Sequence, residues 1–527
     1  MRPDVWCPPV KPSAAEQVVI KAVRRAKLFV FLRQYRHELF DEGFQAELAR
    51  AYADKPKGQP PVPPARLALA TIVQAYAGVS DDEVIEATVM DRRWQLVLDC
   101  LDAGDPPFSK GTLVGFRARL IEHDLDRVLI ERTVELAART GGFGARALRA
   151  ALDSSPLWGA GRVEDTFNLI GHALRKALGV LAVLQGHRQA AGAAALAAQA
   201  GAPELAASSL KAALDRDWED PAARDDALAE VLGLLDRVEA FVAGQAGQQA
   251  AAAMAATACQ VRDQDADLTG AAPVLRRGVA KDRRISVEDA QMRHGRKTRS
   301  VLFDGYKRHV LRDLDTGLIP AVGITPANAP EASVTESIAA DLEAAGRTLA
   351  ELHIDRAYLS SHLVRDRGPD LAIYCKAWRV RTTTGRYAKD QFSIDFPAGQ
   401  LTCPAGTAMP FTPGKTVRFP KGTCTACPLR ARCTTTTTTS GRSVAIHPDE
   451  ELLAELRARQ ATPAGRAALR ERVQVEHTLA HIGHWQGRRA RYTGTRKNLF
   501  DLRRVAVVHN LHVIARQLDA NDHQLAT

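Results

Sequence analysis

The chain has 527 residues, of which 46% are hydrophobic, 25% charged and 6% aromatic. That length suits about three domains at roughly 100–200 residues each, and the apolar fraction excludes a wholly disordered protein. The 71 Lys and Arg exceed the 61 Asp and Glu, and the resulting net charge of +10 favours a polyanionic partner without identifying it.

Three features of the sequence indicate the compartment. The N-terminal MRPDVWCPPVKPSAAEQ has no apolar run behind its basic residue, which is not the pattern of a signal peptide. Residues 240–261 are uncharged, but their Ala and Gln are too polar to cross a membrane. Four of the eight Cys lie between Cys403 and Cys433, which is not the pattern of a disulfide framework. We therefore expect a cytoplasmic protein that has no membrane partner.

The first 140 residues have the pattern of an all-helical domain. Residues 14–54 show helical apolar spacing, and KPKGQPPVPP at 55–64 interrupts it. Helical spacing resumes at Pro64, with Ser80 as the expected N-cap, and a helix pair follows over 109–140. We predict a separate helical N-terminal domain over 1–140.

A short strand and a long insertion come next. RALRAALD at 146–153 is predicted to form a strand that ends at Asp153, because Ser-Ser-Pro and two Gly follow it. Residues 163–285 then return to helical spacing in an Ala-rich segment. We interpret this segment as a helical insertion in a larger domain that spans 141–518.

From Gly305 the pattern alternates between strands and helices. A hairpin turning at 315–317, a helix over 330–345, a strand ending near Asp355, a short helix and a further strand predict a mixed sheet with helical cover. A Cys-rich insertion occupies 380–462. Two long helices, Pro463–Trp485 and Lys497–Leu518, complete the domain, and 519–527 form a tail.

Three acidic residues stand where this architecture would bring them together. Asp153 ends the first strand, Asp355 ends the strand after the hairpin, and Glu476 lies on the penultimate helix. In a ribonuclease-H-like fold the first and fourth strands are neighbours, and a late helix packs beside their ends. Three carboxylates so placed can hold two Mg²⁺ (or Mn²⁺) ions, which activate a water or a 3′-hydroxyl at a phosphodiester.

The surrounding sequences match a known pattern. LDSSPLWGAGRVEDTFNLI around Asp153, DGYKRHVLRDLDTGLIPAVGITPAN at 304–328, HIDRAYLSS around Asp355 and the segment 470–511 around Glu476 together resemble DDE-type bacterial insertion-sequence transposases. The chain is most similar to insertion-sequence family 1182. The resemblance implies a ribonuclease-H-like (retroviral-integrase-like) catalytic core in which Asp153, Asp355 and Glu476 are the catalytic metal ligands.

A related signature, Tyr–Arg–Glu–Lys, is matched only in part. Arg472 stands four residues before Glu476, one helical turn away, where it can orient the carboxylate or bind a phosphate. Leu469 replaces the Tyr and Gly483 replaces the Lys. A hairpin intermediate, which belongs to that related group, therefore stays one alternative for excision beside other routes.

Basic residues flank the predicted catalytic sheet. Residues 466–516 contain 11 Lys and Arg against 3 acidic residues, and residues 276–312 contain 12 against 4, a net of +8 for each. Such segments suit salt-dependent phosphate binding. The residues expected to contact DNA are Arg472, Lys307, Arg488, Arg489, Arg491 and Lys497.

Four cysteines follow the pattern C-x20-C-x2-C-x5-C, at Cys403, Cys424, Cys427 and Cys433. Thiolates in a loop-rich insertion suit one structural Zn²⁺ with four ligands. An unmetallated cluster and an iron–sulfur site remain alternatives.

Taken together, the residues and the resemblance predict a nucleoid-associated bacterial DNA transposase. It would bind the terminal inverted repeats of its element, cleave at the ends with Mg²⁺ and join them to target DNA, as a homodimer or larger assembly. The helical N-terminal domain would serve DNA binding or assembly. The alternatives are a ribonuclease-H-like DNA nuclease without transposition and a catalytically dead DNA-binding regulator.

Overall fold

The computed structural model describes residues 2–54, 59–141, 147–246, 248–378, 380, 385–434 and 440–525. Its N-terminal part is helical, as predicted. The helices are α1 (Ala14–Ala22), α2 (Lys27–Leu39), α3 (Glu42–Arg50), α4 (Pro64–Ala77), α5 (Asp81–Met90), α6 (Arg92–Leu98), α7 (Lys110–Glu122) and α8 (Leu125–Gly141). Ser80 caps α5 in a capping box with Glu83, which confirms the predicted N-cap.

The segment after α8 begins with a long strand and the helical insertion. Its elements are β1 (Ala147–Trp158), α9 (Thr166–Leu184), α10 (Gln189–Gln199), α11 (Leu210–Leu214), α12 (Pro221–Ala243), α13 (Gln248–Asp265), β2 (Ala266–Asp267) and β3 (Val274–Leu275). The insertion has a hydrophobic core of its own, built on the buried face of α9. By length and composition α9 could cross a membrane, but 61% of its apolar window is buried inside this core.

The six-stranded sheet and its helical cover follow. The elements are β4 (Arg293–Arg296), β5 (Leu302–Asp313), β6 (Ala321–Pro326), α14 (Thr335–Ala344), β7 (Thr348–Ile354), α15 (His362–Arg365) and β8 (Ala372–Cys375). The central strands lie in the order β5-β1-β7-β8, and β4 and β6 both pair with β5. β1 and β7 run parallel, which confirms that the first and fourth predicted strands are neighbours.

The Cys-rich insertion and the final helices complete the chain. Their elements are β9 (Ser393–Asp395), β10 (Gln400–Thr402), β11 (Ala408–Pro410), β12 (Thr416–Arg418), α16 (Lys421–Thr425), α17 (Arg430–Cys433), β13 (Ser443–Ala445), α18 (Glu450–Ala461), α19 (Pro463–Glu471), α20 (Val473–Gln486) and α21 (Thr495–Leu525). The single helix predicted over 463–485 is wrong, because it divides at Arg472 into α19 and α20. The backbone of α21 continues helical through most of the predicted tail.

The predicted end of the first strand is also wrong. β1 continues past Asp153 to Trp158, because it pairs with β5 along its whole second half, from Ala150 to Trp158. Its pairing with β7 stops at Ala151. Pro156 therefore lies in a stretch with one free edge, where a residue without a backbone N–H removes no bond to a second neighbour.

One hydrophobic core joins the N-terminal helices to the catalytic elements. It contains Leu32 of α2, Leu69 of α4, Val310 of β5, Leu479 of α20 and Val508 of α21, all at most 6% exposed. Polar contacts reinforce this junction, since buried Arg503 of α21 pairs with Asp126 of α8 and with Asp341 of α14. The N-terminal helices thus pack against the six-stranded sheet and the final helices in one core.

Candidate active site

The parallel pairing of β1 and β7 brings two of the predicted carboxylates to one edge of the sheet. Ala151 and His353 form the last registered pair, and Asp153 and Asp355 each stand two residues further on. Because side chains alternate along a strand, each Asp follows the face of the residue two positions before it. The two carboxylates lie near enough for the charge of Asp355 to raise the pKa of Asp153.

The two Asp side chains differ in their surroundings. Asp153 is only 14% exposed, and burial is the main cause that raises the pKa of its carboxyl, while the nearby Arg472 lowers it. Asp355 is exposed and caps a 3-10 turn, accepting a hydrogen bond from the Ala357 N–H at 2.8 Å. One acid is therefore held in the wall of the site, while the other faces solvent.

Glu476 reaches the same place through Arg472. The guanidinium donates to Asp153 Oδ2 at 2.6 Å and to Glu476 Oε1 at 2.7 Å, so that it bridges the two carboxylates. Arg472 lies at the junction of α19 and α20, and Glu476 follows one turn later. The i,i+4 pairing expected from the sequence is thus present, and the additional contact with Asp153 links β1 to α20.

Two arginines of β5 fix the helix that carries Glu476. Arg312 donates to Thr478 Oγ1 at 2.8 Å and to Gln474 Oε1 at 3.0 Å. Arg308, which is buried, donates to Gln486 Oε1 at 3.1 Å near the end of the helix. The sequence analysis missed both residues. The spacing of Arg308 and Arg312 could have identified them, because residues an even number apart on a strand lie on the same face of the sheet.

A third arginine fixes the segment just before Arg472. Arg149 of β1 donates to Glu351 at 2.9 Å, to Asp315 at 2.8 Å and to Glu471 at 2.9 Å. Burial lowers the pKa of the guanidinium, but these three carboxylates raise it above its ordinary value. This contact also escaped the sequence analysis, because its partners are more than 150 residues away along the chain.

A buried polar pair lies behind the two Asp residues. The Tyr358 hydroxyl lies 2.9 Å from His309 Nδ1, and His309 Nε2 lies 2.9 Å from Thr325 Oγ1. Burial lowers the pKa of His309 to about 3, so the ring is neutral. Burial also raises the pKa of Tyr358, and the charge of Asp153 adds to that effect. The pair ties the turn after Asp355 to β5 and β6.

The predicted DNA contacts are divided between exposed and occupied positions. Lys307 is buried, with its ammonium 2.7 Å from the Ala329 carbonyl and 2.8 Å from Glu331. Its charge is already satisfied inside the protein, so the structure argues against the predicted phosphate contact. The side chain of Lys307 points inward from β5, and its ammonium lies beside the segment after β6 that contains Ala329 and Glu331.

The remaining basic residues lie after α20. Arg489 donates to the Gly159 carbonyl at 3.1 Å, and Arg491 donates to the Gly78 carbonyl at 3.0 Å, so both guanidiniums also bind the backbone. Arg488 and Lys497 are exposed. Arg472 contacts carboxylates, as described above. These positions remain predicted DNA contacts.

The four cysteines of the insertion lie around one cavity of 200 Å³. Burial raises the pKa of the Cys433 thiol, and the other three thiols act in the same direction. The Arg442 N–H lies 3.5 Å from Cys424 Sγ. Within the described parts of the chain, however, no group of three or more His, Cys, Asp or Glu is already gathered closely enough to hold a metal ion. That finding covers both the cysteines and the three carboxylates.

Two segments of the chain match known protein families. Residues 24–119 match the family described as "Transposase domain (DUF772)", and residues 402–515 match "Transposase DDE domain". The second match contains Arg472, Glu476 and the four cysteines, whereas Asp153 and Asp355 lie before it. No curated protein and no solved structure matches the chain.

The α/β core and the matched catalytic family define an enzyme that cleaves and joins DNA strands. The family implies a ribonuclease-H-like core, which agrees with the strand order observed here. The two matches together indicate an insertion-sequence transposase of the DDE type. The predicted resemblance is thereby confirmed at this level, and membership of insertion-sequence family 1182 stays a prediction.

Proposed function

We propose that Asp153, Asp355 and Glu476 are the catalytic carboxylates of this transposase. The observation that carries the proposal is the pairing of β1 with β7, which sets Asp153 beside Asp355, together with the Arg472 bridge to Glu476. Carboxylate oxygens are the donors that Mg²⁺ and Mn²⁺ prefer, so the chemistry of the donor set fits a divalent cation. When bound, such ions would activate the attacking oxygen and stabilise the leaving one.

The chain's own residues prepare the site for a phosphodiester. The Ser154 N–H donates to Asp153 Oδ1 at 2.8 Å, which fixes the orientation of that carboxylate. Arg472 holds the other oxygen of Asp153 and one oxygen of Glu476, and so occupies two atoms that a cation would bind. The guanidinium neutralises part of the acidic charge of Asp153 and Glu476, the residues that would hold a cation together with Asp355. Arg472 itself could also bind a phosphate oxygen of the substrate.

Replacing Asp355 tests the assignment. Asp355→Asn keeps the size of the side chain and removes its charge, so we expect strand cleavage of the element's ends to be lost while DNA binding is retained. Asp366→Asn is the matched control, because Asp366 is exposed on the same connection between β7 and β8 and pairs with His362. Unchanged cleavage in Asp355→Asn would show that the site is assigned to the wrong residues.

The substrates are the terminal inverted repeats of the element and a target DNA. The N-terminal helices over 1–140, the insertion over 163–285 and the exposed basic residues Arg488 and Lys497 are candidates for end recognition. Since two ends must be held together, the active form is a homodimer or a larger assembly in the bacterial cytoplasm. Strand-transfer products from a donor with intact ends would separate this function from that of a nuclease or of a dead regulator.

The Cys-rich insertion is proposed to hold one structural Zn²⁺. Four thiols around one cavity are a soft donor set that suits this ion, and their mutual effect on the pKa of Cys433 would be reversed by a cation. Elemental analysis of the purified chain should find about one zinc per chain. Cys427→Ser should lose it, whereas Cys259→Ser, which changes a half-buried thiol of α13, should keep it. Protein that is free of metal in both the parent and the control would overturn this assignment.

A further inference from the structure

A cleft of 740 Å³ opens directly beside the exposed carboxylate of Asp355. The ends of β7 and β8 form one side of it, and α18 and α19 form the other. Four exposed cations line the cleft, namely Arg356, Lys376, Arg466 and Arg470. Arg472, which bridges the other two catalytic carboxylates, also lines it. The cleft is therefore continuous with the proposed active site.

In the described parts of the chain, the four cations have no carboxylate partners such as those of Arg149. Among the residues that the structure describes, no carboxylate forms an ion pair with any of them. Arg356 donates to the Lys376 carbonyl at 2.8 Å, and Arg470 donates to the Arg466 carbonyl at 3.2 Å, so their contacts are neutral. By contrast, Arg149 contacts three carboxylates. Four like charges around one opening leave a positive potential that an anion would neutralise.

The side chains are also held towards the cleft. Arg466 donates to the carbonyls of Gln460 and Ala461 at the end of α18, and the Arg356 guanidinium lies over the Trp378 ring at 5.4 Å. These contacts restrict the long side chains without using up their charge. A set of oriented, unneutralised guanidiniums is suited to the repeated phosphates of a nucleic acid backbone.

We propose that this cleft binds the phosphates of one DNA strand as it leads to the catalytic carboxylates. The inference rests on the proposed function, because the strand must pass Asp355 to be cut. A volume of 740 Å³ lies within the ~300–1,000 Å³ range of ligand pockets, which suits one or two nucleotides rather than a duplex. The contacts are to the backbone, so binding does not depend on base sequence.

The test uses the full chain, without added divalent cation, and a fluorescent oligo(dT) that cannot form a duplex. Binding is measured by anisotropy over a range of salt concentrations, for the parent and for a variant that carries Arg356→Gln, Lys376→Gln, Arg466→Gln and Arg470→Gln. Each lost phosphate contact lowers the steepness of log K against log salt by about 0.7 for a single strand. One or two nucleotides carry about two or three phosphates, so we expect the slope to decrease by about 1.4–2.1. A duplex of equal length should be affected less.

A matched control removes four other positive charges, of which three are exposed and one, Lys211, is half-buried. Arg188→Gln, Lys211→Gln, Arg216→Gln and Arg237→Gln lie on the helical insertion and change the net charge by the same amount. The control should retain the parent slope with oligo(dT). An equal loss in the control, or a four-residue cleft variant that binds like the parent, would overturn the inference.

The two experiments distinguish failure of the cleft proposal from failure of the catalytic assignment. If the cleft variant binds oligo(dT) like the parent while Asp355→Asn loses cleavage, the cleft assignment fails and the catalytic assignment stands. If Asp355→Asn cleaves normally, the catalytic assignment fails, whatever the cleft variant does in the binding assay. Oligo(dT) binding in the parent and circular dichroism of each variant identify a protein that has failed to fold.

Discussion

Arg472 holds the same carboxylate oxygens that a catalytic cation would bind, and this predicts a change in metal affinity. We expect Arg472→Gln to bind Mn²⁺ more tightly than the parent chain. Gln has no charge, so the cation no longer competes with a guanidinium for Asp153 Oδ2 and Glu476 Oε1. The same substitution should slow strand cleavage, because the orienting and phosphate-binding group is removed.

The size of the effect follows from the exposure of the two ion pairs. Asp153 is 14% exposed, and its charge-assisted bond to Arg472 is worth about 1–2 kcal/mol. Glu476 is 48% exposed, and an i,i+4 pair at such a site contributes about 0.3–0.5 kcal/mol after solvent screening. Removing both gives roughly 1.3–2.5 kcal/mol, which corresponds to a Kd for Mn²⁺ that is about 10–60-fold lower.

Calorimetric titration of the chelator-treated protein with Mn²⁺ measures this Kd. Arg470→Gln is the control, because it removes a nearby charge from a residue that contacts no carboxylate in the described structure. We expect its Kd to change much less than that of Arg472→Gln. Equal Kd values for the parent and Arg472→Gln, or equal tightening in both variants, would refute the idea that the guanidinium competes with the cation.

Three further predictions concern stability. Burial raises the pKa of Asp153, so its ionised form destabilises the fold at neutral pH, and without metal Asp153→Asn should unfold at a higher urea concentration than the parent at pH 7. The difference should shrink as the pH falls through the raised pKa, and its absence at pH 7 would contradict the argument. Tyr358→Phe leaves a nitrogen of buried His309 without its hydroxyl partner, and should lower the free energy of unfolding by about 1–3 kcal/mol in urea titrations. Arg312→Met removes two bonds to α20 and should cost about 1–3 kcal/mol in the same assay, with reduced strand cleavage.

The sequence was sufficient for the features that depend on local pattern. The strand before Asp355 and the hairpin preceding it follow from apolar alternation and turn residues, and both were found where predicted. The contact of Arg472 with Glu476 follows from helical spacing alone. The choice of Asp153 and Asp355 as proposed catalytic residues depended on the family resemblance, since many other acidic residues have an equally plausible local setting.

What could not be predicted depends on distant neighbours. β1 continues past Asp153 because β5, about 150 residues later, offers a complete pairing partner. The helix predicted as one unit divides at Arg472, where the side chain reaches across to Asp153 and the preceding Glu471 binds Arg149. Propensity favours one continuous helix there, and tertiary contacts override it.

The core shared by the N-terminal helices, α20 and α21 has a mechanical consequence. Leu32 and Leu69 at the front of the chain pack in the same apolar interior as Leu479, one turn from Glu476, which we propose to be catalytic. Because this core is continuous, the described N-terminal helices and the proposed catalytic carboxylates belong to one packed body. If the N-terminal helices bind DNA, that DNA would lie at a fixed distance from the proposed catalytic carboxylates. This distance would then set the position at which the strand is cleaved.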